Sequence, residues 1–338
     1  MKILIIGGTG LISTPITHLL AQRGEEVWLY NRGKTERPVP ANVRTIHGDR
    51  TQLATFEAQM KELGPLDCVI DMVGYHPEEA ECAIRVFSGR VGQYIFCSTV
   101  DVYTKPAPSY PVREEAPRNP SSEFSYAYNK AIMENLFLQA HERGDLCVTI
   151  LRPAATYHDR GTVLYSLGAG SAHLDRLRKA KPIIVHGDGT SLWCYCHAED
   201  VARAFVNAVG NPKAFGSAYN VAGEEVMTWK QHHERAAEAI GAPPPTFVAI
   251  PTHLLVQLSP KRAWITKVNF SYNNIFDNSP AQADLGFRYT ISFTEGVQRM
   301  AAWYEANGGF ENSDADTEYE TVLQRWRRLE SLLEKEAL

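Results

Sequence analysis

Lys2-Ile3-Leu4-Ile5-Ile6-Gly7-Gly8-Thr9-Gly10-Leu11-Ile12-Ser13 is the stretch whose reading decides the fold. Four apolar residues without alternation, Ile3 to Ile6, suit a strand buried on both faces. The glycines mark a tight turn, and Thr14-Pro-Ile-Thr-His-Leu-Leu-Ala-Gln22 then has the spacing of an amphipathic helix. A glycine loop between a buried strand and a helix lets backbone N–H groups approach a pyrophosphate at a helix N-terminus, where the dipole favours negative charge. Gly7, Thr9, Gly10, Leu11 and Ile12 are therefore candidate dinucleotide contacts. Ser13 stands where the third glycine of a G-x-x-G-x-x-G loop is expected, which predicts slightly wider helix–strand spacing.

Outward from this loop, short apolar runs alternate with amphipathic stretches: EEVWLYN, VRTIHGD, TQLATFEAQMKELG, DCVIDMVG, EEAECAIRVFSGR and GQYIFCSTV. That alternation predicts an α/β fold with a doubly wound parallel sheet of the Rossmann type. A proline-rich loop, Pro106 to Ser122, precedes a helix expected from near Phe124 to about Arg143, with Ser121 or Ser122 as its cap. Beyond the strand LCVTILRP the pattern loosens. Residues 1–160 plus about 183–210 are expected to form the dinucleotide-binding domain. About 161–182 and 211–310 would build a smaller C-terminal α+β substrate lobe, and 311–338 a helical tail. Tyr319, Val322, Leu323, Trp326, Leu329, Leu332 and Leu333 share one helical face in that tail, which reads as docking on its own chain.

Composition narrows the function. Of 338 residues 44% are hydrophobic and 22% charged, as in ordinary globular enzymes, and the formal charge of -5 argues against a general nucleic-acid or membrane-surface binder. The six cysteines form no C-x-x-C pair and no histidine stands at zinc-ligand spacing, so free thiols in a reducing compartment and no metal are expected. The apolar start is too short for a signal peptide or a membrane span, which predicts a cytoplasmic protein.

The second strand ends Tyr30-Asn31-Arg32-Gly33-Lys34, where an Asp or Glu would hold the ribose 2'-hydroxyl of NAD. With no carboxylate there, Arg32 and Lys34 suit the 2'-phosphate of NADP, which is favoured over NAD, and Asn31 takes the usual acidic position. Asp49 and Arg50, at the end of the third strand, are candidates for the adenine edge. Tyr126 and Lys130 share a helix face at i, i+4 spacing. A tyrosine works as acid or base near neutral pH only if a cation stabilises its phenolate, which Lys130 supplies. Ser98 or Thr99, ending the preceding strand, can hydrogen-bond the substrate oxygen on which Tyr126 acts.

These motifs resemble an extended short-chain dehydrogenase/reductase of the NAD-dependent epimerase/dehydratase family. Matching in order are Gly7 to Ser13, Cys97 to Tyr103, Tyr126 to Lys130, Leu151-Arg-Pro153, Val185 to Gly189, His197 to Ala202, Ala283 to Phe287 and Phe293 to Gly296. The resemblance covers about residues 1 to 305. It implies Thr99 as the catalytic hydroxyl, Tyr126 as acid/base, and Lys130 as the group that holds the nicotinamide ribose and lowers the tyrosine pKa. It also implies that Met72, Val73 and Gly74 line the cofactor, that Pro153 and Ala154 flank the nicotinamide, and that a homodimer forms through the helix carrying Tyr126. Departures are Asp71 where histidine is frequent, Asn31 for Asp, and Tyr157-His158-Asp159-Arg160 in place of a Tyr-Gly-Pro turn.

Substrate candidates are Tyr75, Ser98, Thr99, Tyr157, Arg160 and Arg262, with Arg176, Arg178 and Lys267 as further cations for a diphosphate. The expected activity is that of a nucleotide-sugar epimerase or related sugar-modifying oxidoreductase. The alternatives are an NADPH-dependent reductase of a small carbonyl compound, and a nucleotide-binding regulatory protein that kept the fold but recognises RNA or a partner. Val100-Asp101 after Thr99 lacks the Asp-Glu pair of dehydratases, which makes simple dehydration less suited.

Overall fold

The apolar runs of the first half become the strands of one parallel sheet because each lies under helices and must bury both faces. The computed structural model describes residues 1–34 and 38–336. It divides into two units, one of residues 1–156, 196–223 and 276–290, the other of residues 157–195, 224–275 and 291–338.

In the first unit β1 (Lys2–Ile6), β2 (Glu26–Asn31), β3 (Arg44–His47), β4 (Leu66–Asp71), β5 (Val91–Cys97) and β6 (Val148–Pro153) are joined by a seventh strand, Ala218–Val221. Their order across the sheet is Ala218–Val221, β6, β5, β4, β1, β2, β3. Every pair is parallel, with Ile5 of β1 opposite Leu29 on one side and Ile70 on the other. Strand order reverses between β1 and β4, and the carboxyl ends of strands at such a reversal leave a crevice for ligand. Helices α1 (Ser13–Gln22), α2 (Leu53–Glu62), α3 (Pro77–Phe87) and α4 (Ser125–Glu142) connect or cover the strands. One apolar cluster joins Ile16, Leu20 and Phe205 to Ile3 and Ile5; the other joins Phe56, Phe87 and Phe137 to Leu4 and Ile6.

The expected caps Ser121 and Ser122 do not cap α4. Phe124 occupies that position without a side-chain bond, and the Ser121 hydroxyl accepts the Glu123 N–H within the preceding turn at 3.2 Å.

In the second unit Ile183–His186 pairs in parallel with Phe247–Ile250, and Leu192 to Cys194 run antiparallel to Val226–Thr228. The helix Thr317–Glu336 buries Tyr319, Val322, Leu323 and Trp326 against Tyr165, Ile184, Ile250 and Leu255. Leu329, Leu332 and Leu333 stay exposed, and residues 337–338 of the expected tail lie outside the described residues. The unit boundaries differ from those read off the sequence. Residues 183–195 belong to the second unit because Ile183–His186 finds its parallel partner there, whereas residues 211–223 and 276–290 complete the first. No described helix is long and apolar enough to cross a membrane.

Candidate functional site

At the carboxyl ends of β1, β2 and β3 lies a cleft of about 340 Å³. Gly7 and Gly10, with Thr9, form one wall, the end of β2 at Asn31, Arg32 and Lys34 another, and Val73 and Tyr75 a third. Gly7 adopts φ of +91°, and a Cβ there would come within 2.4 Å of Val73, so glycine is required by both conformation and space. A Cβ on exposed Gly10 would meet nothing nearer than the Ser13 hydroxyl at 3.1 Å; glycine there leaves a cradle open toward the cleft. Ser13 does not loosen the loop. Its hydroxyl donates to the Gly7 carbonyl at 2.6 Å and accepts the Gly10 N–H at 2.7 Å, pinning the turn at the start of α1. These features fit a dinucleotide diphosphate, held by the backbone of residues 7–10 at the α1 N-terminus.

Asn31, standing for the usual acid, gives its side-chain oxygen to the Gly33 N–H at 2.9 Å, which turns the chain so that exposed Arg32 and Lys34 flank the cleft. Among the described residues neither cation forms an ion pair. The Asp49 carboxylate accepts both the N–H and the hydroxyl of Thr51 at 3.0 and 2.8 Å; these bonds, then Arg32 and Lys34, hold it below its ordinary value. Arg50 is buried. Its guanidinium donates to the Glu79 carbonyl at 2.5 Å, lies 3.7 Å from Asp71, and rests on the Phe56 ring, so it braces the wall that carries Tyr75.

That wall is fixed by carboxylates. Asp71 accepts the Val73 N–H at 3.1 Å, and Glu79 accepts the Tyr75 and His76 N–H groups at 2.6 and 3.0 Å. Tyr75 in turn leads from the cleft to the catalytic candidates, its ring 6.2 Å from that of Tyr126. The Thr99 hydroxyl oxygen accepts the Asp101 N–H at 3.2 Å, which leaves its proton as the donor on the Tyr126 side. Desolvation of the phenol pushes Tyr126 up, and the Thr99 hydroxyl pulls against it. Lys130, on the same face of α4, is buried, donates to the Cys97 carbonyl at 2.6 Å and lies 5.8 Å from the Tyr126 ring centre. Burial depresses its ammonium, opposed by the Cys97 thiol and by Asp71, Glu134 and Glu79.

The structure thus gathers Gly7, Thr9, Gly10, Asn31, Arg32, Lys34, Asp49, Arg50, Val73 and Tyr75 around one cleft, with Thr99, Tyr126 and Lys130 beyond Tyr75. Leu11, Met72 and Gly74 stand next to lining residues without lining it, and Ile12 lies one residue further on; Pro153 ends β6 and Ala154 follows it, both buried. Tyr30, Gly33, Gly48, Thr51, His76 and Glu79 line the cleft without having been singled out; for Tyr30, Gly33 and Gly48 the signal was a place at or beside the ends of β2 and β3.

Three substrate candidates are buried or already engaged by other groups. Ser98 is 2% exposed and has no open face. Tyr157 is buried among Tyr195 and Phe293, its hydroxyl donating to the Ser292 carbonyl at 3.3 Å. Arg262 is spent on Asp316 at 2.7 and 2.9 Å, on the Tyr165 hydroxyl and on the Leu167 carbonyl, an anchor for the terminal helix. Arg176 and Arg178 are likewise paired, with Glu320 and Glu305 at 2.7 Å each. Arg160 lies over the Trp303 ring at 5.9 Å, and Lys267 is exposed.

A family model described as the NAD dependent epimerase/dehydratase family matches residues 3–87 and 81–222. The chain is 29% identical over 260 residues to the chloroplast stem-loop binding protein of 41 kDa b of Arabidopsis thaliana, covering 73% of this chain but 65% of that one, just under two thirds. It is 25% identical over 243 residues to 2'-dehydrokanamycin reductase of Streptomyces kanamyceticus, covering 72% and 68%. In fold it resembles UDP-glucose 4-epimerase from Bifidobacterium longum, solved in complex with NAD+ and UDP, at a TM-score of 0.71, 19% identity, and coverage of 93% and 100%.

Proposed function

The chain belongs to the NAD dependent epimerase/dehydratase family, and from that premise we propose that it is an NADP(H)-dependent oxidoreductase that moves a hydride to or from the oxygen-bearing carbon of a sugar. The observation that carries this reading is the placement of Thr99, Tyr126 and Lys130 beyond the end of the dinucleotide cleft, with Tyr75 between. When bound, the dinucleotide supplies the hydride donor or acceptor. Thr99 donates to the substrate oxygen and orients it. Tyr126 gives that oxygen a proton in reduction or takes one in oxidation, and the buried Lys130 charge offsets the cost of the phenolate. The cytoplasm is the compartment proposed for this chemistry, and a homodimer through α4 the assembly.

Arg32 and Lys34, with Asn31 committed to Gly33, favour NADP(H) over NAD(H). A cofactor that exchanges each turnover fits net reduction, the reaction named for the Streptomyces relative. The second reading, a nucleotide-sugar epimerase, is favoured by the likeness to a fold holding UDP.

Mass identification of any co-purified nucleotide, then titration of the apo protein with NADPH and NADH, tests the reading. NADPH should bind more tightly, and Arg32→Ala with Lys34→Ala should weaken NADPH by about 10- to 100-fold, the loss of one or two charge-assisted bonds, while leaving NADH within about twofold. Tightly held NAD would select the epimerase. Binding of neither would overturn both readings.

A further inference from the structure

We propose that Tyr75 is a positioning residue of the reaction centre: with Phe96 and Tyr126 its ring forms an aromatic cage that keeps the Lys130 ammonium charged. The proposal rests on the reading of Lys130 as the cation that serves Tyr126.

Lys130 is 1% exposed, and among the described residues no carboxylate pairs with it. One of its three N–H groups donates to the Cys97 carbonyl at 2.6 Å. Its Nζ lies over three rings, 4.6 Å from the centre of Phe96, 5.1 Å from Tyr75 and 5.8 Å from Tyr126. A buried ammonium without a contacting carboxylate tends to lose its proton. A neutral Lys130 would do nothing for a Tyr126 phenolate, so something must hold the charge. The groups facing it are Asp71 on β4, Glu79 on α3, Cys97 on β5 and Glu134 on α4 itself, and all act through space without contact to Nζ. Aromatic faces supply the contact that carboxylates do not, because each ring presents its negative quadrupole to the cation.

Of the three rings, Phe96 belongs to the sheet core and Tyr126 to the chemistry. Tyr75 has neither duty. Its side chain is 45% exposed, yet its backbone is clamped from two helices: Glu79 of α3 accepts its N–H at 2.6 Å, and Asn129 of α4, next to Lys130, donates to its carbonyl at 3.1 Å. The clamp lays the ring over Lys130, with its centre 5.1 Å from the ammonium and 6.2 Å from that of the tilted Tyr126 ring, while Tyr75 also lines the cleft.

The test titrates the Lys130 side-chain nitrogen by NMR in the full chain with isotope-labelled lysine, its signal assigned by loss in Lys130→Arg. Tyr75→Phe keeps the ring and should titrate as the wild type does. Tyr75→Leu should lower the Lys130 midpoint by about one pH unit, the shift expected from losing one desolvated cation–ring contact. Tyr75→Met serves as a second variant if Tyr75→Leu proves unstable. An unchanged midpoint in a folded leucine or methionine variant overturns the cage. Because the titration needs neither cofactor nor substrate, a lowered midpoint with no dinucleotide binding would overturn the proposed function and leave the cage standing.

Discussion

Arg152 and Glu134 in the first unit and His173, His186, His232 and His233 in the second are buried alike, at 2% exposure or less, yet they solve the problem of buried polarity in opposite ways. The first unit keeps its charges and pairs them. Arg152 meets Glu134 through two bonds of 2.9 and 2.8 Å, donates to the Tyr103 hydroxyl at 2.7 Å and to the Glu114 carbonyl at 3.0 Å, and Tyr103 passes the chain to Asn220 at 2.7 Å. Burial alone would raise Glu134, but Arg152 and Arg118 hold it low. The histidines of the second unit give up charge. His186 contacts the Ser166 hydroxyl and the Phe270 carbonyl at 3.0 Å each, and His173 and His233 bond each other at 3.0 Å. Against these imidazoles pack the rings of Trp229, Tyr195 and Phe293. A paired charge serves a sheet whose carboxyl ends must place ionisable groups precisely. Neutral rings suffice for packing.

The largest expected effect is on pH. Burial lowers His186 and His232 from 6.5 to about 4, and lowers His173 and His233 as well. With folded values below the unfolded one, the unfolded chain binds more protons between these limits. Stability is therefore whole above pH 6.5 and is lost as pH falls toward 4. At ~1.4 kcal/mol per pH unit and group, His186 and His232 together remove about 5 kcal/mol two units below 6.5. Trp193 and Trp229 report on this unit, and their fluorescence should show the unfolding midpoint in urea falling steeply with acid. A midpoint that does not move between neutral and mildly acid pH would break the comparison.

Next comes the paired charge. Arg152→Met leaves Glu134 buried with one partner and should cost ~3–5 kcal/mol in urea unfolding, whereas Arg152→Met with Glu134→Met should cost less than the single change. A single change costing under about 1 kcal/mol would mean that the network is slack.

How much of this was legible in the sequence depends on the range of the signal. The Gly7 to Ser13 loop, β1 to β6 and the pairing of Tyr126 with Lys130 are written in residues a few positions apart, and local periodicity carries them. Ile183–His186 misled because a buried parallel strand reads the same in any sheet, and its partner Phe247–Ile250 lies some sixty residues on. Arg262 looked like an anion-binding cation because nothing near it announces Asp316. Tyr75 reads as a substrate contact and not as a partner of Lys130, since its place over Lys130 depends on the Glu79 and Asn129 clamps, one of them on a distant helix.

The smallest expected effect sharpens the contrast at one residue. Ser13 is a buried polar group of the first unit with both its bonds made inside the glycine loop, to Gly7 and Gly10. Ser13→Ala should cost ~1–2 kcal/mol, because it leaves the Gly10 N–H and the Gly7 carbonyl without that partner. Ser13→Gly restores the residue that such loops ordinarily carry, but it also adds backbone freedom at the first position of α1, so it should be no more stable than the alanine variant. Thermal unfolding of the two variants, with dinucleotide affinity measured alongside, decides whether the hydroxyl holds the turn or merely occupies the space of a glycine. A glycine variant as stable as the wild type would show the latter, and would set Ser13 apart from the paired Arg152 and Glu134 of the same unit.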